Sequence, residues 1–145
     1  MMRRLWEKTG ETVALFIPQG GYRICVAEIP SAQPLSFKCG VGFREKVMVG
    51  ASGRAILANM PDASKHLMGE HVTSPGADAG YEKELARIRE RGYAVSKDEL
   101  LQGAVAVAAP FFNGSDQVAG SLAVFGPGAR LHSAPDRCLR YFAGS

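Results

Sequence analysis

Two long apolar runs constrain the fold of this chain more than any other feature. They cover Gly103 to Phe112 and Gln117 to Phe125, and the four residues between them, NGSD, favour a tight turn. Runs joined this closely pair as antiparallel neighbours, so alternate side chains point to opposite faces of the sheet. The alternation predicts one face for Val118, Leu122 and Val124, and the other face for Ala119, Ser121, Ala123 and Phe125.

A second hairpin is predicted near the N-terminus, where Thr12 to Ile17 and Tyr22 to Ile29 are rich in β-branched and aromatic residues and flank the turn PQGG. Leu35 to Cys39 is predicted to form a third strand. Apolar residues at helical spacing predict a helix over residues 81–91 that ends at Gly92. About six strands in adjacent hairpins, with helices between and after them, predict an α+β fold with one mainly antiparallel sheet flanked by helices. Shorter elements are predicted as helices at Arg3 to Lys8, Pro61 to Gly69 and Asp136 to Phe142, and as a strand at Tyr93 to Val95.

The composition is that of an ordinary single globular domain. The chain has 145 residues, of which 46% are hydrophobic and 21% are charged. No apolar run reaches the roughly 18 residues that a membrane span needs, and the N-terminal MMRRLWEKTGE lacks the apolar core of a secretory signal. A cytoplasmic location without membrane contact is therefore expected. The net charge of +3 is too small, and the positive residues are too scattered, to predict direct DNA binding.

The cysteines and histidines do not predict a metal site or a catalytic site. They are Cys25, Cys39 and Cys138, and His66, His71 and His132. An odd, widely spaced set of cysteines without a C-x-x-C pair, in a chain without an export signal, is typical of reduced thiols. The histidines are not clustered as zinc ligands are. No metal, cofactor or catalytic residue is therefore expected.

The most informative short segment is Val47 to Ala58, VMVGASGRAILA, in which a turn of small residues runs directly into a helical pattern. Glycines at positions 50 and 53 allow a ligand to approach the backbone closely. The first amides of a helix have no acceptor within it and carry partial positive charge, so they form a seat for a carboxylate. The alternative is an ordinary helix start with Ser52 as its N-cap. A nucleoside-phosphate loop is excluded, because Arg54 follows Gly53 where that motif requires lysine.

Four segments occur in an order that resembles one known family. They are LWEKTGETVALF, VGFREKVMVGASGRAILANMP, LARIRERGYAVSKDELLQGAVAVAAPFF and VAGSLAVFGPGARL. In this order they resemble the C-terminal effector-binding domain of IclR-type bacterial transcriptional regulators, over almost the whole chain. The most specific matches are Gly42 with Ala51, Gly53 and Ala55, the triplet Arg91, Gly92 and Tyr93, and the stretch Glu99 to Pro110.

The resemblance implies the fold and the partners of this domain. The fold would be GAF/profilin-like, and residues 1–145 would form one effector-binding domain for a small metabolite, often an organic acid. Such domains associate as homodimers or tetramers and follow a winged helix-turn-helix domain, which is absent from this chain. DNA would therefore be bound only through that missing domain. The chain itself would be a ligand sensor and not an enzyme.

The resemblance also implies which residues contact the effector and where this chain departs from its relatives. Lys46 and Val47 stand where relatives commonly have Pro-Leu, which predicts a more mobile entry to the loop. Ser96 also matches a capping box with Glu99, so the start of a turn is the alternative for this residue. The implied contact residues are Gly50, Ala51 and Ser52, whose amides would meet the carboxylate, Met48 just before them, Leu35 and Phe37 in an apolar wall, and Ser96, Ala106, Ala123 and Phe125 on later segments.

Three of these positions favour an effector with an apolar or aromatic body and one anionic end. Ala106, Ala123 and Phe125 are apolar where relatives that recognise very small polar acids can have hydroxyl or thiol donors. Burying an unpaired polar group of the ligand against them would cost about 1–3 kcal/mol. Plain core packing is the alternative for all three. Two other functions stay open: a GAF-like redox enzyme that uses Cys39, and an oligomerisation module that uses the long apolar hairpin without a ligand.

Overall fold

The computed structural model describes residues 2–34, 36–37, 39–60, 77–98 and 102–128, without the side chains of residues 77–79. The helices predicted at Pro61 to Gly69 and at Asp136 to Phe142 lie outside these residues, and so does Leu35.

The described residues form one antiparallel sheet with helices packed on both of its faces. In chain order the elements are α1 (Met2–Thr9), β1 (Thr12–Gln19), β2 (Tyr22–Ile29), β3 (Arg44–Lys46), α2 (Gly50–Leu57), α3 (Ala77–Arg91), β4 (Ala94–Lys97), β5 (Ala104–Phe112) and β6 (Val118–Pro127). The sheet has six strands in the order β3-β2-β1-β6-β5-β4, and every pairing is antiparallel. The predicted α+β class is therefore confirmed.

Both predicted hairpins are present, and their turns explain why. β1 and β2 are joined by Gly20 and Gly21, whose φ angles are 51° and 59°. Both central residues of such a tight hairpin turn need positive φ, which glycine adopts without the steric cost of a Cβ. Between β5 and β6, the side-chain oxygen of Asn113 accepts hydrogen bonds from the amides of Ser115 and Gln117 at 2.8 and 3.1 Å. Local sequence thus sets both reversals of the chain.

The helices at α1 and α3 and the short strand β4 also confirm their predictions to within a few residues. α3 ends as expected at Gly92, which has φ of 88° and donates its amide hydrogen to the carbonyl of Ile88 at 2.8 Å. This is the usual way in which a glycine in the left-handed region closes the last turn of a helix.

The predicted third strand at Leu35 to Cys39 is wrong. The described residues of that segment are not in a strand, and the third strand is instead β3. The backbone there bonds to side chains and not to a ladder: the hydroxyl of Thr12 donates to the carbonyl of Phe37 at 2.6 Å, and the amide of Cys39 donates to the carboxylate of Glu28 at 2.8 Å. Side chains of β1 and β2 therefore bond to backbone groups that would pair with a neighbouring strand if this segment belonged to the sheet.

The face predicted for Val118 is also wrong, because β6 contains a bulge. Phe111 pairs with Gly120, but Phe112 pairs with Val118, so Ala119 is an extra residue in the ladder. One extra residue reverses the alternation of side chains beyond it. Val118 consequently packs on the same face of the sheet as Ala123.

The two faces of the sheet carry separate apolar cores. On the first face, here called the α2 face, α2 packs on the sheet and α3 packs on α2, and Ile56 and Leu85 are buried in this core. On the second face, here called the α1 face, Leu5 of α1 packs with Val107 and Val124. The glycine turn that begins α2 therefore lies on the α2 face.

Candidate ligand-binding site

α2 begins at the predicted glycine turn. Its first residue is Gly50, and the N-cap is Val49, whose extended backbone has φ of −105° and ψ of 130°. A valine side chain cannot accept a hydrogen bond, so the N-cap offers no side-chain acceptor to the first turn of α2. The alternative in which Ser52 caps the helix is wrong, because Ser52 lies inside the first turn.

Gly53 allows α2 to lie directly on the backbone that follows β3. A Cβ at this position would be 2.4 Å from the carbonyl oxygen of Val47 and 2.8 Å from its carbonyl carbon. These distances are shorter than any real Cβ contact, so a side chain here would displace the helix or the segment before it. Gly53 therefore fixes the position of α2.

A cavity of about 380 Å³ separates the N-terminal end of α2 from the sheet. Every one of the six strands contributes at least one residue to its wall. The lining residues are Phe16, Arg23, Phe37, Cys39, Phe43, Glu45, Gly50, Ala51, Ser52, Ser96, Ala104, Ala106, Ala123 and Phe125.

Most of the predicted contact residues line this cavity, which brings the early loop and the later strands together. Met48 does not line it: Met48 packs against the core of the α2 face, and its carbonyl accepts a hydrogen bond from the hydroxyl of Tyr81 at 2.6 Å. Whether the lining residues bind an effector stays a prediction. The predicted residues in the wall are Phe37, Gly50, Ala51, Ser52, Ser96, Ala106, Ala123 and Phe125.

The register of the sheet explains how the later segments meet. Ser96 of β4 is paired with Ala106 of β5, and Ala106 is paired with Phe125 of β6. Directly paired residues place their side chains on the same face, about 4.5–5.5 Å apart at Cβ. The three positions therefore form one row across the cavity wall. Ser96 belongs to this strand and does not start a turn.

Sequence reasoning missed a buried charge beside the start of α2. Arg23 of β2 lines the cavity and is only 1% exposed. Its Nη1 donates to the carbonyl oxygens of Lys46 and Val49 at 2.6 and 2.7 Å, and its guanidinium carbon lies 5.4 Å from the centre of the Phe16 ring. The available signal was a single arginine at a core-facing position of the apolar strand YRICVAEI. The other lining residues that were not predicted are Phe16, Cys39, Phe43, Glu45 and Ala104.

Glu45 places a negative charge in the same wall. It is half-buried and directly paired with Arg23 across β2 and β3. Its Oε1 accepts a hydrogen bond from the amide of Lys46 at 2.8 Å. The described wall therefore contains one cationic and one anionic side chain, in paired positions on the sheet.

Cys39 lies in the wall but is not set up as a nucleophile. Its Sγ donates to Oε2 of Glu28 at 3.3 Å, and the amide of Gly40 donates to the same carboxylate. Burial raises the pKa of Cys39 well above its usual range, and the neighbouring Cys25 and Glu28 raise it further. Burial also raises the pKa of Cys25. Because the thiolate is the reactive form, both thiols are inert at neutral pH.

The part of the chain described by the structure offers no group of three or more metal-ligating side chains suited to an ion. Its helices are also too short or too polar to cross a membrane.

The sequence matches the family described as bacterial transcriptional regulator IclR, C-terminal, over residues 1–141. The chain belongs to the IclR family. The HTH-type transcriptional regulator KipR of Bacillus subtilis is 30% identical over 138 residues, which cover 90% of this chain and 55% of KipR. The crystal structure of the C-terminal domain of a Vibrio cholerae protein, described as a transcriptional regulator, matches with a TM-score of 0.80 and 31% identity over 94% of this chain and 84% of that one. The crystal structure of the Thermotoga maritima IclR has the same fold, with a TM-score of 0.85 and 22% identity over 96% of this chain and 60% of that one.

This IclR-family chain spans about half the length of the relatives that it matches, between 50% and 55% for three of them. The relatives are named as transcriptional regulators and not as enzymes. The chain therefore matches the C-terminal domain of this family of transcriptional regulators, and the names of these relatives count against the alternative of a cysteine redox enzyme.

Proposed function

We propose that this domain senses a small organic acid with an apolar or aromatic body, and that the bound acid controls DNA binding by an N-terminal domain. One observation carries the proposal: a single cavity joins the start of α2 and the buried guanidinium of Arg23 to a wall of phenylalanine and alanine side chains.

The carboxylate would bind where Arg23 meets the start of α2. The guanidinium donates to Val49, which directly precedes the helix, so a full positive charge lies beside the positive end of the helix dipole. Ala51 and Ser52, in the first turn, line the same space. A hydrogen bond to a charged group contributes about 1.5–3 kcal/mol, which is enough to orient a small ligand.

The body of the acid would lie against the aromatic part of the wall. Four phenylalanines line the cavity, Phe16, Phe37, Phe43 and Phe125, and the alanines leave room between them. A volume of about 380 Å³ is at the lower end of the range of about 300–1,000 Å³ for small-molecule sites. A single-ring or branched acid therefore fits the chemistry better than a smaller polar acid, because the phenylalanines and alanines of the wall offer no partner to hydroxyl or keto groups.

The first experiment is a thermal-shift and calorimetric screen of the domain against aliphatic and aromatic carboxylic acids. An acid present at 100 times its dissociation constant adds about 2.7 kcal/mol to the free energy of unfolding, which raises the melting midpoint measurably. Binding by aromatic or branched acids supports the proposal. Binding by only the smallest polar acids would reject the apolar body, and no binding by any acid would favour the ligand-free oligomerisation module.

Ala106→Leu locates the site, with Ala109→Leu as its matched control. The two alanines belong to the same strand, but Ala106 lines the cavity whereas Ala109 is paired with Leu122 of the α1-face core. The larger side chain at position 106 should fill the cavity and reduce the affinity for the best acid at least about 100-fold, because overlap with a bound ligand costs more than about 2.7 kcal/mol. Equal affinities in the two variants would place the site elsewhere.

Glu45→Gln tests whether the bound end of the ligand is anionic. Glutamine keeps an oxygen that can accept the Lys46 amide but removes the negative charge from the wall. The affinity for benzoate should rise by about three- to tenfold, while the affinity for benzamide, which has the same ring and no charge, should not change. A loss of benzoate affinity, or an equal rise for benzamide, would contradict an anionic end bound beside Glu45.

The regulatory output would depend on assembly. Control of DNA binding requires that the acid bind more tightly to one arrangement of associated domains than to another. Equilibrium sedimentation of the domain with and without the best acid should give a dimer or tetramer whose association constant changes on binding.

A further inference from the structure

We infer that Tyr81 is a positioning residue that fixes the backbone entering α2 and ties that backbone to α3. The part of this inference that concerns ligand affinity rests on the proposed function. The part that concerns the backbone does not.

The segment that enters α2, Lys46–Val49, is held through its carbonyl groups. Arg23 donates to the carbonyls of Lys46 and Val49 at 2.6 and 2.7 Å, and Tyr81 donates to the carbonyl of Met48 at 2.6 Å. The carbonyl of Val47 lies against Gly53 of α2. Each carbonyl of the entry segment is therefore directed toward a neighbouring element, which leaves the first turn of α2 free to face the cavity.

Tyr81 acts on this segment from outside the cavity. It is half-buried at the N-terminal end of α3 and is not among the residues that line the cavity. Its hydroxyl contacts Met48, two residues before the helix. Through this hydrogen bond, Tyr81 acts on a bound acid by way of the entry segment.

α3 holds the opposite end of α2 as well. The Nε of Arg89 donates to the carbonyl of Ala58, the C-cap of α2, at 2.6 Å. Tyr81 and Arg89 are separated by about 12 Å along α3, which is also about the length of the eight-residue α2. Leu85, midway between them, is buried in the core of the α2 face. α3 therefore runs alongside α2 in the same direction and is bonded to both of its ends.

A displacement of the entry segment is consequently passed to α3. Hydrogen bonds at both ends and an apolar contact between them make the two helices move as one body. The outward side chains of α3, among them Glu82, Arg87 and Glu90, are exposed, so this motion changes the surface of the domain.

The test compares Tyr81→Phe with Tyr93→Phe by hydrogen exchange and by binding of sodium benzoate. Both substitutions remove one hydroxyl and keep the ring, but Tyr93 packs in the core of the α1 face, away from α2. In the ligand-free domain, Tyr81→Phe should speed amide exchange within residues 48–52 by about fivefold, the effect of losing one net hydrogen bond. Tyr93→Phe should leave the exchange of residues 48–52 unchanged, because the hydroxyl of Tyr93 makes no hydrogen bond to the entry segment or to α2.

Benzoate binding then tests whether the cavity is coupled to α3. Saturating benzoate should slow exchange in residues 80–85 of the wild-type domain and of Tyr93→Phe, and this protection should be lost in Tyr81→Phe, whose affinity falls about fivefold. Unchanged exchange of residues 48–52 in ligand-free Tyr81→Phe would overturn the inference, whatever benzoate does. Faster exchange there, in a domain that does not bind benzoate, would support the positioning role and count against the proposed effector class.

Discussion

The two faces of the sheet differ in what fills them, and the difference explains where the cavity lies. The buried residues of the α1-face core are leucine and valine. The core of the α2 face contains many alanines, among them Ala14, Ala51, Ala108 and Ala123. Branched side chains fill the space between a sheet and a helix, whereas alanines leave part of it empty.

Polarity separates the two faces as well. Arg23, Ser52, Ser96 and Ser121 are all buried, and the first three line the cavity. Buried polar groups need hydrogen-bond partners, and those of Arg23 and Ser121 are backbone carbonyls of the entry segment and of α2. The α1 face is thus filled by packed apolar side chains, whereas the α2 face combines an apolar core with a cavity that a few buried polar groups border. Four predictions test this difference between the two faces of the sheet.

The largest effect on stability is expected on the α1 face. Leu122, which is 6% exposed, belongs to its core. Leu122→Ala should lower the free energy of unfolding by about 2–5 kcal/mol, because it removes buried methyl groups and leaves a cavity. Urea denaturation measures this loss, and Val41→Ala, at a 69% exposed position, is the control that should change little. If the α1 face serves only stability, the folded variant keeps its affinity for the best acid.

The second largest effect on stability is expected where Gly53 of α2 contacts the backbone of Val47. Gly53→Ala should cost about 1–3 kcal/mol, because the new methyl group overlaps the carbonyl of Val47. Gly80→Ala is the matched control in α3: a Cβ there meets no atom within 4 Å, so the variant should be as stable as the wild type or up to about 1 kcal/mol more stable. Thermal denaturation of the two variants measures this difference in stability. A neutral Gly53→Ala would mean that α2 can shift without cost.

A smaller effect is expected for the hydrogen bond that joins β6 to α2. The hydroxyl of Ser121 is fully buried and donates to the carbonyl of Ser52 at 2.9 Å. Ser121→Ala should lower the free energy of unfolding by about 0.5–1.5 kcal/mol. Ser115→Ala, in the exposed turn between β5 and β6, should be silent. A stability change in Ser121→Ala no larger than in Ser115→Ala would show that β6 does not anchor the first turn of α2.

The smallest change in the free energy of unfolding is expected from the cysteine thiols at alkaline pH. Burial raises the pKa of Cys25 and of Cys39 above the value of 9.0 for an unhindered thiol. Below pH 9 the thiols are protonated in both states. Above it the unfolded chain loses protons that the native domain keeps, so the free energy of unfolding falls as the pH rises. The free energy of unfolding should therefore fall between pH 8 and 10, and Cys25→Ala should make this fall less steep. A slope that Cys25→Ala leaves unchanged would show that Cys25 does not contribute to this pH dependence.

Much of the fold followed from short-range patterns. Gly20 and Gly21 adopt the positive φ that their turn requires, and Gly92 ends α3 as expected. The errors arose where long-range contacts override the local pattern. Phe37 lies beside β1 without joining the sheet, because the hydroxyl of Thr12 takes its carbonyl, and the bulge at Ala119 reverses the face of Val118.

Some residues of the candidate site were predicted from the sequence, and others were not. Gly50 and Ser52 were identified from the glycine turn itself, and Ala106 and Phe125 came from the resemblance to IclR regulators. Neither the glycine turn nor the resemblance identified Arg23. A single arginine in a strand is expected to face solvent, and only the pairing of β2 with β3 shows that this one is buried.

By itself the sequence determined the two hairpins, the ends of the helices and the glycine turn that begins α2, because these depend on the backbone conformations that individual residues prefer. Only the tertiary structure decided that the guanidinium of Arg23 faces the start of α2, that Ser96, Ala106 and Phe125 form one row, and that Tyr81 reaches Met48. These contacts join residues far apart in the chain. They depend on strand register, on a bulge and on the packing of helices, which no local preference specifies.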